Sequence, residues 1–296
     1  MSEDWICWPD SEKEPMLISW YDKKNGVAYA VSRENYKAFT CTNPGTREEI
    51  PELKALGGKI FRLYVSDDYY FVYGNINGSE GLYCVERSTG EVCAKLPGVS
   101  IFTFTPSGYL IYADHDNSNN QILYKVPAGA IDQTSRREKL LDLNKKKIWL
   151  KQIACDNKEI LFGIGGEYEY DNAVLIEYSL SSGSYKRIMF GMDPSAQTEL
   201  CARNGFAFHI YVYNGAAMIE EFKPSTEEGD LFLALSESST VTNVSLYSYK
   251  SSEPPVIAYV ENGVYKYARY YPNDKKWKYS KLERKSGSSI TSILDQ

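Results

Sequence analysis

The sequence predicts an all-β protein built from repeated four-stranded antiparallel sheets. A β-rich aromatic run that follows a turn signal recurs at steps of 40 to 50 residues along the 296-residue chain. Dipeptides such as Asn–Gly, which favour the positive φ angles of tight hairpins, separate many of the runs. Aromatic residues make up 14% of the chain, and its 25 Tyr outnumber its 11 Phe.

Each repeat contains up to four β-like runs. The first runs are 16–22, 59–66, 100–105, 148–154, 198–204 and 244–249. The second runs are 25–31, 67–73, 107–113, 157–164, 204–212 and 253–260. The third runs are 36–41, 81–87, 121–127, 173–180, 216–223 and 263–270. Fourth runs close most repeats at 91–96, 138–143, 185–190, 230–235 and 277–282.

Four short strands in every 40 to 50 residues are typical of a propeller blade. A single four-stranded sheet cannot bury both of its faces, whereas sheets packed face to face around an axis can. Tyr rings would fill the wide space between such blades, with their hydroxyls reaching a partner at the rim. The pattern resembles the β-propeller superfamily and is loosely similar to YWTD-type bacterial propellers. Because the sequence contains no YWTD tetrapeptide, GH…WD pair or aspartate box, the resemblance implies a fold and no functional residues.

We therefore predict one domain, residues 1–296, that forms a six-bladed β-propeller of four-stranded antiparallel blades. Rings of five or seven blades and two stacked β-sandwiches are the alternatives, and the regular spacing disfavours the sandwiches. Two short helices are predicted as exceptions. One covers residues 46–58, with Thr46 and Glu49 as a capping box, and the other covers residues 135–141.

The six cysteines show no CxxC spacing, so a zinc site is not expected. If Glu86 pairs with Glu91 across the turn, Cys84 lies directly opposite Cys93, with Cβ atoms ~4.5–5.5 Å apart and near disulfide range. The alternative is a pair of reduced, buried thiols. We expect the reduced form because no signal peptide is evident.

The net charge of −6, with a pI near 5.2, argues against nucleic acid as the main partner. The basic stretch 265–285 is therefore interpreted as the outer strands of the last blade. No apolar run is long enough to span a membrane, and residues 1–15 lack the features of a signal peptide. We expect a soluble cytoplasmic protein, or a secreted one if a signal peptide has been removed.

Two loops that follow second strands carry chemically useful residues. In propellers such loops gather on one face around the axis, where ligands often bind. The candidate binding residues are Asp114, His115, Asp116, Glu167, Tyr168, Glu169, Tyr170 and Asp171. Together they predict an acidic, aromatic rim that could hold Ca²⁺, a sugar, or a peptide bearing Lys or Arg. The alternative is a pair of solvated polar loops.

The leading functional hypothesis is a non-enzymatic propeller that binds a protein or peptide. The chain has only two histidines, and His209, flanked by apolar residues, is expected to lie in the core or channel. A G-x-S-x-G elbow is absent. The alternatives are a carbohydrate-binding or carbohydrate-cleaving propeller, which for cleavage would use paired carboxylates, and a metal-dependent, lactonase-like hydrolase. No cofactor is predicted, Ca²⁺ being an option without a supporting motif, and the sequence does not define the oligomeric state.

Overall fold

The structure is a computed structural model that describes residues 16–22, 27–32, 35–43, 46–116, 118–169, 172–190, 198–203, 205–213, 216–223, 228–234, 241–247, 256–261, 264–271 and 276–281. Its regular structure is almost entirely β, as predicted. One α-helix, α1, covers Pro51–Leu56, and 3-10 turns cover Ala128–Ala130 and Thr134–Arg136. Within the described ranges, no helix has the length and apolar character needed to cross a membrane.

The strands follow the predicted runs closely. They are β1 (Met16–Asp22), β2 (Val27–Ser32), β3 (Ala38–Asn43), β4 (Thr46–Glu49), β5 (Lys59–Val65), β6 (Tyr69–Ile76), β7 (Ser79–Glu86), β8 (Val92–Pro97), β9 (Phe102–Phe104), β10 (Tyr109–His115), β11 (Gln121–Pro127), β12 (Glu138–Asp142), β13 (Ile148–Cys155), β14 (Ile160–Glu167), β15 (Ala173–Ser179), β16 (Tyr185–Phe190), β17 (Thr198–Arg203), β18 (Phe206–Tyr213), β19 (Ala216–Lys223), β20 (Glu228–Ala234), β21 (Val241–Tyr247), β22 (Val256–Glu261), β23 (Val264–Tyr271) and β24 (Lys276–Lys281).

The chain divides into two compact units. The first comprises residues 1–100 and 255–296, and it holds the sheets β1-β2-β3-β4 and β5-β6-β7-β8 together with the consecutively paired strands β22, β23 and β24. The second comprises residues 101–254, and it holds the sheets β9–β12, β13–β16 and β17–β20 together with β21. In the sheets β1–β4, β5–β8, β9–β12, β13–β16 and β17–β20, each strand pairs antiparallel with the next one along the chain.

The first strand of each sheet lies at the inner edge, a point that periodicity alone does not settle. In the first unit β1 packs against β5. In the second unit β9 packs against β13, and β13 packs against β17. Since first strands meet first strands, the second, third and fourth strands follow outward in order.

The sheets bury both faces, which explains why runs such as β14 are apolar without clean alternation. Leu161 and Val174 belong to a core cluster shared with the β9–β12 sheet. Phe162 and Leu175, their neighbours along the strands, belong to a cluster shared with the β17–β20 sheet. In the first unit, Tyr29 packs between sheets at 5% exposure, which agrees with the predicted role of the Tyr excess.

A carboxylate ties two sheets of the second unit together at their turns. Asp156, 1% exposed, lies in the turn between β13 and β14. Its Oδ1 accepts the backbone N–H groups of Lys158 (2.9 Å) and Ile160 (2.8 Å). Its Oδ2 accepts the N–H of Gly205 (2.6 Å), in the turn between β17 and β18. A buried carboxylate with three such donors fixes both turns.

Arg87 joins two neighbouring sheets in the first unit. Its Nη1 donates to the carbonyl oxygens of Ser66 (2.8 Å) and Asp67 (3.3 Å), in the turn between β5 and β6. Its Nη2 donates to the Tyr29 hydroxyl of the neighbouring sheet (2.9 Å). The guanidinium also lies over the Tyr70 ring, 5.2 Å from its centroid. Arg87, which lies between β7 and β8, thus ties the β5–β6 turn to Tyr29 of β2.

Glycines in second strands accommodate bulges in the first strands. In β13 the register shifts between Leu150, opposite Gly165, and Gln152. A Cβ atom at Gly165 would overlap the carbonyl oxygen of Trp149 and lie 2.7 Å from the Cα of Leu150. The approach involves backbone atoms, so no side-chain rotation can relieve it. Glycine at this position therefore lets β14 follow β13 to the loop that begins beyond Glu167.

The two predicted helices are only partly correct. Thr46–Glu49 forms β4 because these residues pair with β3, Phe39 lying opposite Glu49. The helix begins at Pro51, a residue suited to a first turn because its missing N–H has no partner there, and no side chain caps it. Residues 138–142 form β12 because pairing with β11 outweighs local helix propensity. Only Thr134–Arg136 is helical in that region, as one 3-10 turn.

The predicted register of Cys84 and Cys93 is wrong by one residue. Glu86 does pair with Glu91, its N–H donating to the Glu91 carbonyl (2.9 Å). A bulge then places Cys84 opposite Ala94 and leaves Cys93 as the extra residue. The Cys93 thiol donates to the Cys84 carbonyl oxygen (3.3 Å). Cys84 is buried, as expected, whereas Cys93 is exposed.

Candidate functional site

Both predicted loops lie at the same end of neighbouring sheets in the second unit. Gln121, the first residue of β11, is 5% exposed. Its Nε2 donates to the Leu150 carbonyl (3.1 Å), and its Oε1 accepts the Leu150 N–H (2.7 Å). This double contact joins the loop end of the β9–β12 sheet to the loop end of the β13–β16 sheet. Among the described residues no hydrogen bond or ion pair links the β10–β11 loop to the β14–β15 loop directly.

In the β10–β11 loop, Asp116 holds the chain in a turn. Its Oδ1 accepts the backbone N–H groups of Ser118 and Asn120, both at 2.9 Å, and its Oδ2 accepts from the Asn120 amide (3.1 Å). The hydrogen bonds from Asn120 lower the pKa of the Asp116 carboxyl. His115 is exposed and lies opposite Gln121. The Asp116 carboxylate thus serves the loop's own backbone.

Asp114 is the partner of an arginine. Arg137 Nη1 lies 3.1 Å from its Oδ2 and donates to the Tyr112 hydroxyl (3.4 Å). The guanidinium stacks 3.9 Å from the centroid of the Tyr124 ring. Burial raises the pKa of Tyr112. The group binds three strands of one sheet together.

In the β14–β15 loop, each described carboxylate also has a cation. Glu167 pairs with Arg187 and accepts from the Asn172 side-chain amide (3.2 Å). Glu169 pairs with Lys147, the Nζ to Oε1 distance being 2.9 Å. Tyr170 and Asp171, the remaining predicted binding residues, lie outside the described residues.

The lysines before β13 organise this loop, a role the sequence reasoning missed. Lys147 adopts a positive φ of 57°. Its carbonyl oxygen accepts the Tyr168 N–H (3.1 Å). The Lys146 carbonyl accepts from Arg187 Nη1 (3.4 Å), and the Lys146 ammonium lies 4.9 Å from the centroid of the Tyr185 ring. The available signal was the run of three lysines, residues 145–147, immediately before a predicted first strand.

Tyr168 is the most exposed large apolar side chain among the described residues. Half of its surface is accessible to solvent, and Val92, at 43%, is the other exposed large hydrophobic residue. Partial burial raises the pKa of Tyr168, so its hydroxyl keeps its proton at neutral pH. We name Lys145, Lys146, Lys147, Tyr168 and Glu169 the lysine–tyrosine surface.

Three of the described carboxylates at this end of the sheets, those of Asp114, Glu167 and Glu169, are paired with a cation. Over the residues that the structure describes, no group of three or more His, Cys, Asp or Glu side chains could hold a metal ion. His209 is fully buried, as predicted.

No protein-family model matches the chain, and the comparison with curated proteins gives no match. Solved structures do match. A catalytically inactive virginiamycin B lyase from Staphylococcus aureus, determined with quinupristin, is 12% identical with a TM-score of 0.58, over 96% of this chain and 89% of the lyase. A chain of the nidogen–laminin complex is 11% identical with a TM-score of 0.51, over 74% of this chain and 80% of that one.

A prolyl endopeptidase is 13% identical with a TM-score of 0.56, over 94% of this chain. The chain spans 46% of that enzyme's length. The neighbours are β-propeller proteins, and at these identities they show the fold alone. The consecutive four-stranded sheets with inner first strands agree with this likeness, and the chain has the β-propeller fold.

Proposed function

We propose that residues 1–296 form one six-bladed propeller and that the lysine–tyrosine surface binds another protein or a peptide without catalysis. Six successive repeats in the sequence, five of them with a fourth β-like run, support the blade number, with rings of five or seven as the alternatives. The described sheets support four strands in a blade.

The exposed ring of Tyr168 carries the proposal of binding. Tyr is enriched among residues that dominate binding energy, and such anchors are surrounded by polar contacts that exclude water. Here the backbone N–H of Tyr168 is bound by Lys147, and the neighbouring Glu167 and Glu169 are held by ion pairs. The backbone that carries the ring is thus held at Tyr168 and its two neighbours, which lowers the conformational entropy lost when a partner packs against the ring.

The structural neighbours support a binding role without deciding it. One is a chain of a complex with laminin, and two are enzymes, so the fold hosts both kinds of function. A carbohydrate-cleaving or lactonase-like activity would need unpaired carboxylates or a metal site. The ion pairs of Asp114, Glu167 and Glu169 place these alternatives behind binding.

Site-specific photo-crosslinking tests the proposal. A photoreactive phenylalanine analogue replaces Tyr168 in one protein and Val92, the matched exposed position, in another. In extract from the source cells we expect a discrete crosslinked species from position 168 only. Excess unmodified wild type suppresses it, whereas excess Tyr168→Ala, shown by circular dichroism to be folded, does not. Crosslinks that are equal at both positions, or absent at 168, would overturn the proposal.

A further inference from the structure

We infer that the partner of the lysine–tyrosine surface is an acidic peptide segment, with carboxylates beside the group that packs on Tyr168. The inference rests on the proposed function. It differs from what the loop sequence predicts, because Glu167 and Glu169 alone suggest a partner rich in Lys or Arg.

Two ion pairs, Arg187–Glu167 and Lys139–Asp142, expose the cation more than the carboxylate. The Glu167 side chain is 9% exposed, whereas its partner Arg187 is 26% exposed. Asp142, three residues before Lys145, is 16% exposed, whereas its partner Lys139 is 48% exposed. In both pairs the cation is the more exposed member, so an approaching molecule meets more of the cation than of the carboxylate.

The three lysines of residues 145–147 are also exposed to solvent. Lys147 is more exposed than its partner Glu169, 66% against 54%. Lys145 and Lys146 are exposed, and no carboxylate of the described residues forms an ion pair with either ammonium group. An ammonium group that a partner's carboxylate can reach without displacing another anion is well placed for charge-assisted contact.

The positive charge of the exposed lysines contrasts with the net charge of the whole chain. The whole chain carries a net charge of −6, so the exposed cations form a local reversal of sign. Such a patch steers an oppositely charged segment and rejects a like-charged one. A nucleic acid is also anionic, but its binding depends on many phosphate contacts. Three consecutive exposed lysines, the last of which accepts the backbone N–H of Tyr168, fit a short acidic peptide better.

The test uses a phage library of random 12-residue peptides, selected on the immobilised full-length protein at low salt. Selected clones are then measured against wild type, Tyr168→Ala, the double variant Lys145→Glu/Lys146→Glu, and the control Lys95→Glu/Lys158→Glu. The two double variants change net charge equally, so a difference between them reports position. Lys95 and Lys158 are exposed on β8 and in the β13–β14 turn.

We expect clones that lose binding to Tyr168→Ala to carry net negative charge. Their affinity falls ~10-fold or more in Lys145→Glu/Lys146→Glu, while the control double variant stays within ~3-fold of wild type. Tyr168-dependent clones that are neutral or basic would overturn this inference and leave the proposed function standing. An absence of Tyr168-dependent clones would count against the proposed function itself. Displacement of the clones by polyuridylate at a matched charge concentration, but not by polyglutamate, would show a nucleic-acid surface and also overturn the inference.

Discussion

Replacing Gly165 with Ala tests the arrangement that brings β14 to its loop. The new Cβ would overlap the Trp149 carbonyl oxygen and lie 2.7 Å from the Leu150 Cα, both backbone atoms of the inner strand. Overpacking of this kind costs about 3 kcal/mol. The backbone hydrogen bonds between the two strands weaken as the strands separate, which adds about 1 kcal/mol to the loss of stability. The alanine also lowers the conformational entropy of the unfolded chain, which reduces the loss by about 1 kcal/mol.

The expected loss is therefore about 3 kcal/mol, or about 6–12 °C in melting temperature. Urea unfolding followed by tryptophan fluorescence, together with a thermal melt, measures it. Gly129→Ala is the matched control, because a Cβ there meets no atom within 4 Å, and it stays within about 0.5 kcal/mol of wild type. If Gly165→Ala unfolds at the same urea concentration as Gly129→Ala, the reasoning about close approach is refuted.

Two further substitutions test buried carboxylates. Asp156→Ala leaves three N–H groups without their acceptor, and we expect a loss of about 3 kcal/mol or more in urea unfolding. A loss below about 1 kcal/mol would contradict that role. Glu177 Oε2 is buried without a hydrogen-bond partner among the described residues, and burial raises its pKa above the ordinary 4.5. Its ionisation therefore costs stability as the pH rises from about 4.5 through the folded-state pKa. Glu177→Gln should be more stable than wild type at pH 7 and lose that advantage near pH 4. An equal difference in unfolding free energy at both pH values would contradict the raised pKa of Glu177.

The order and approximate bounds of the strands are predictable because they depend on local pattern. Apolar and aromatic runs between turn residues specify strands, and Asn77–Gly78 shows why, since both residues take the positive φ angles of a tight hairpin. The 40 to 50 residue spacing then predicts sheets that follow one another along the chain.

Details that depend on pairing are less accessible. Nothing local in the sequence marks the bulge that moves Cys93 out of register with Cys84, because a bulge is a property of two strands together. Residues 138–142 carry a helix-like composition and become strand only because β11 offers a ladder. Local reasoning fails wherever a partner strand decides the outcome.

The candidate surface illustrates the same limit for charge. The acids of the β14–β15 loop are visible in the sequence, and Tyr168 between them is half exposed in the structure. The cation of Glu167 is Arg187, 20 residues later, and the cation of Glu169 is Lys147, 22 residues earlier. Which member of each ion pair faces solvent depends on how the side chains pack. The charge that the surface presents to solvent is therefore not evident from the sequence.

The ties made by Asp156 and Arg87 have a consequence for how this protein can change. Asp156 lies in the turn between β13 and β14 and Arg87 in the turn between β7 and β8, whereas Tyr168 lies at the other end of its sheet, in the loop between β14 and β15. Neither of these two ties thus involves the β14–β15 loop, while the Gln121–Leu150 contact joins sheets at the loop end. The β14–β15 loop can accept substitutions or insertions while the contacts that hold neighbouring sheets together at their turns stay intact.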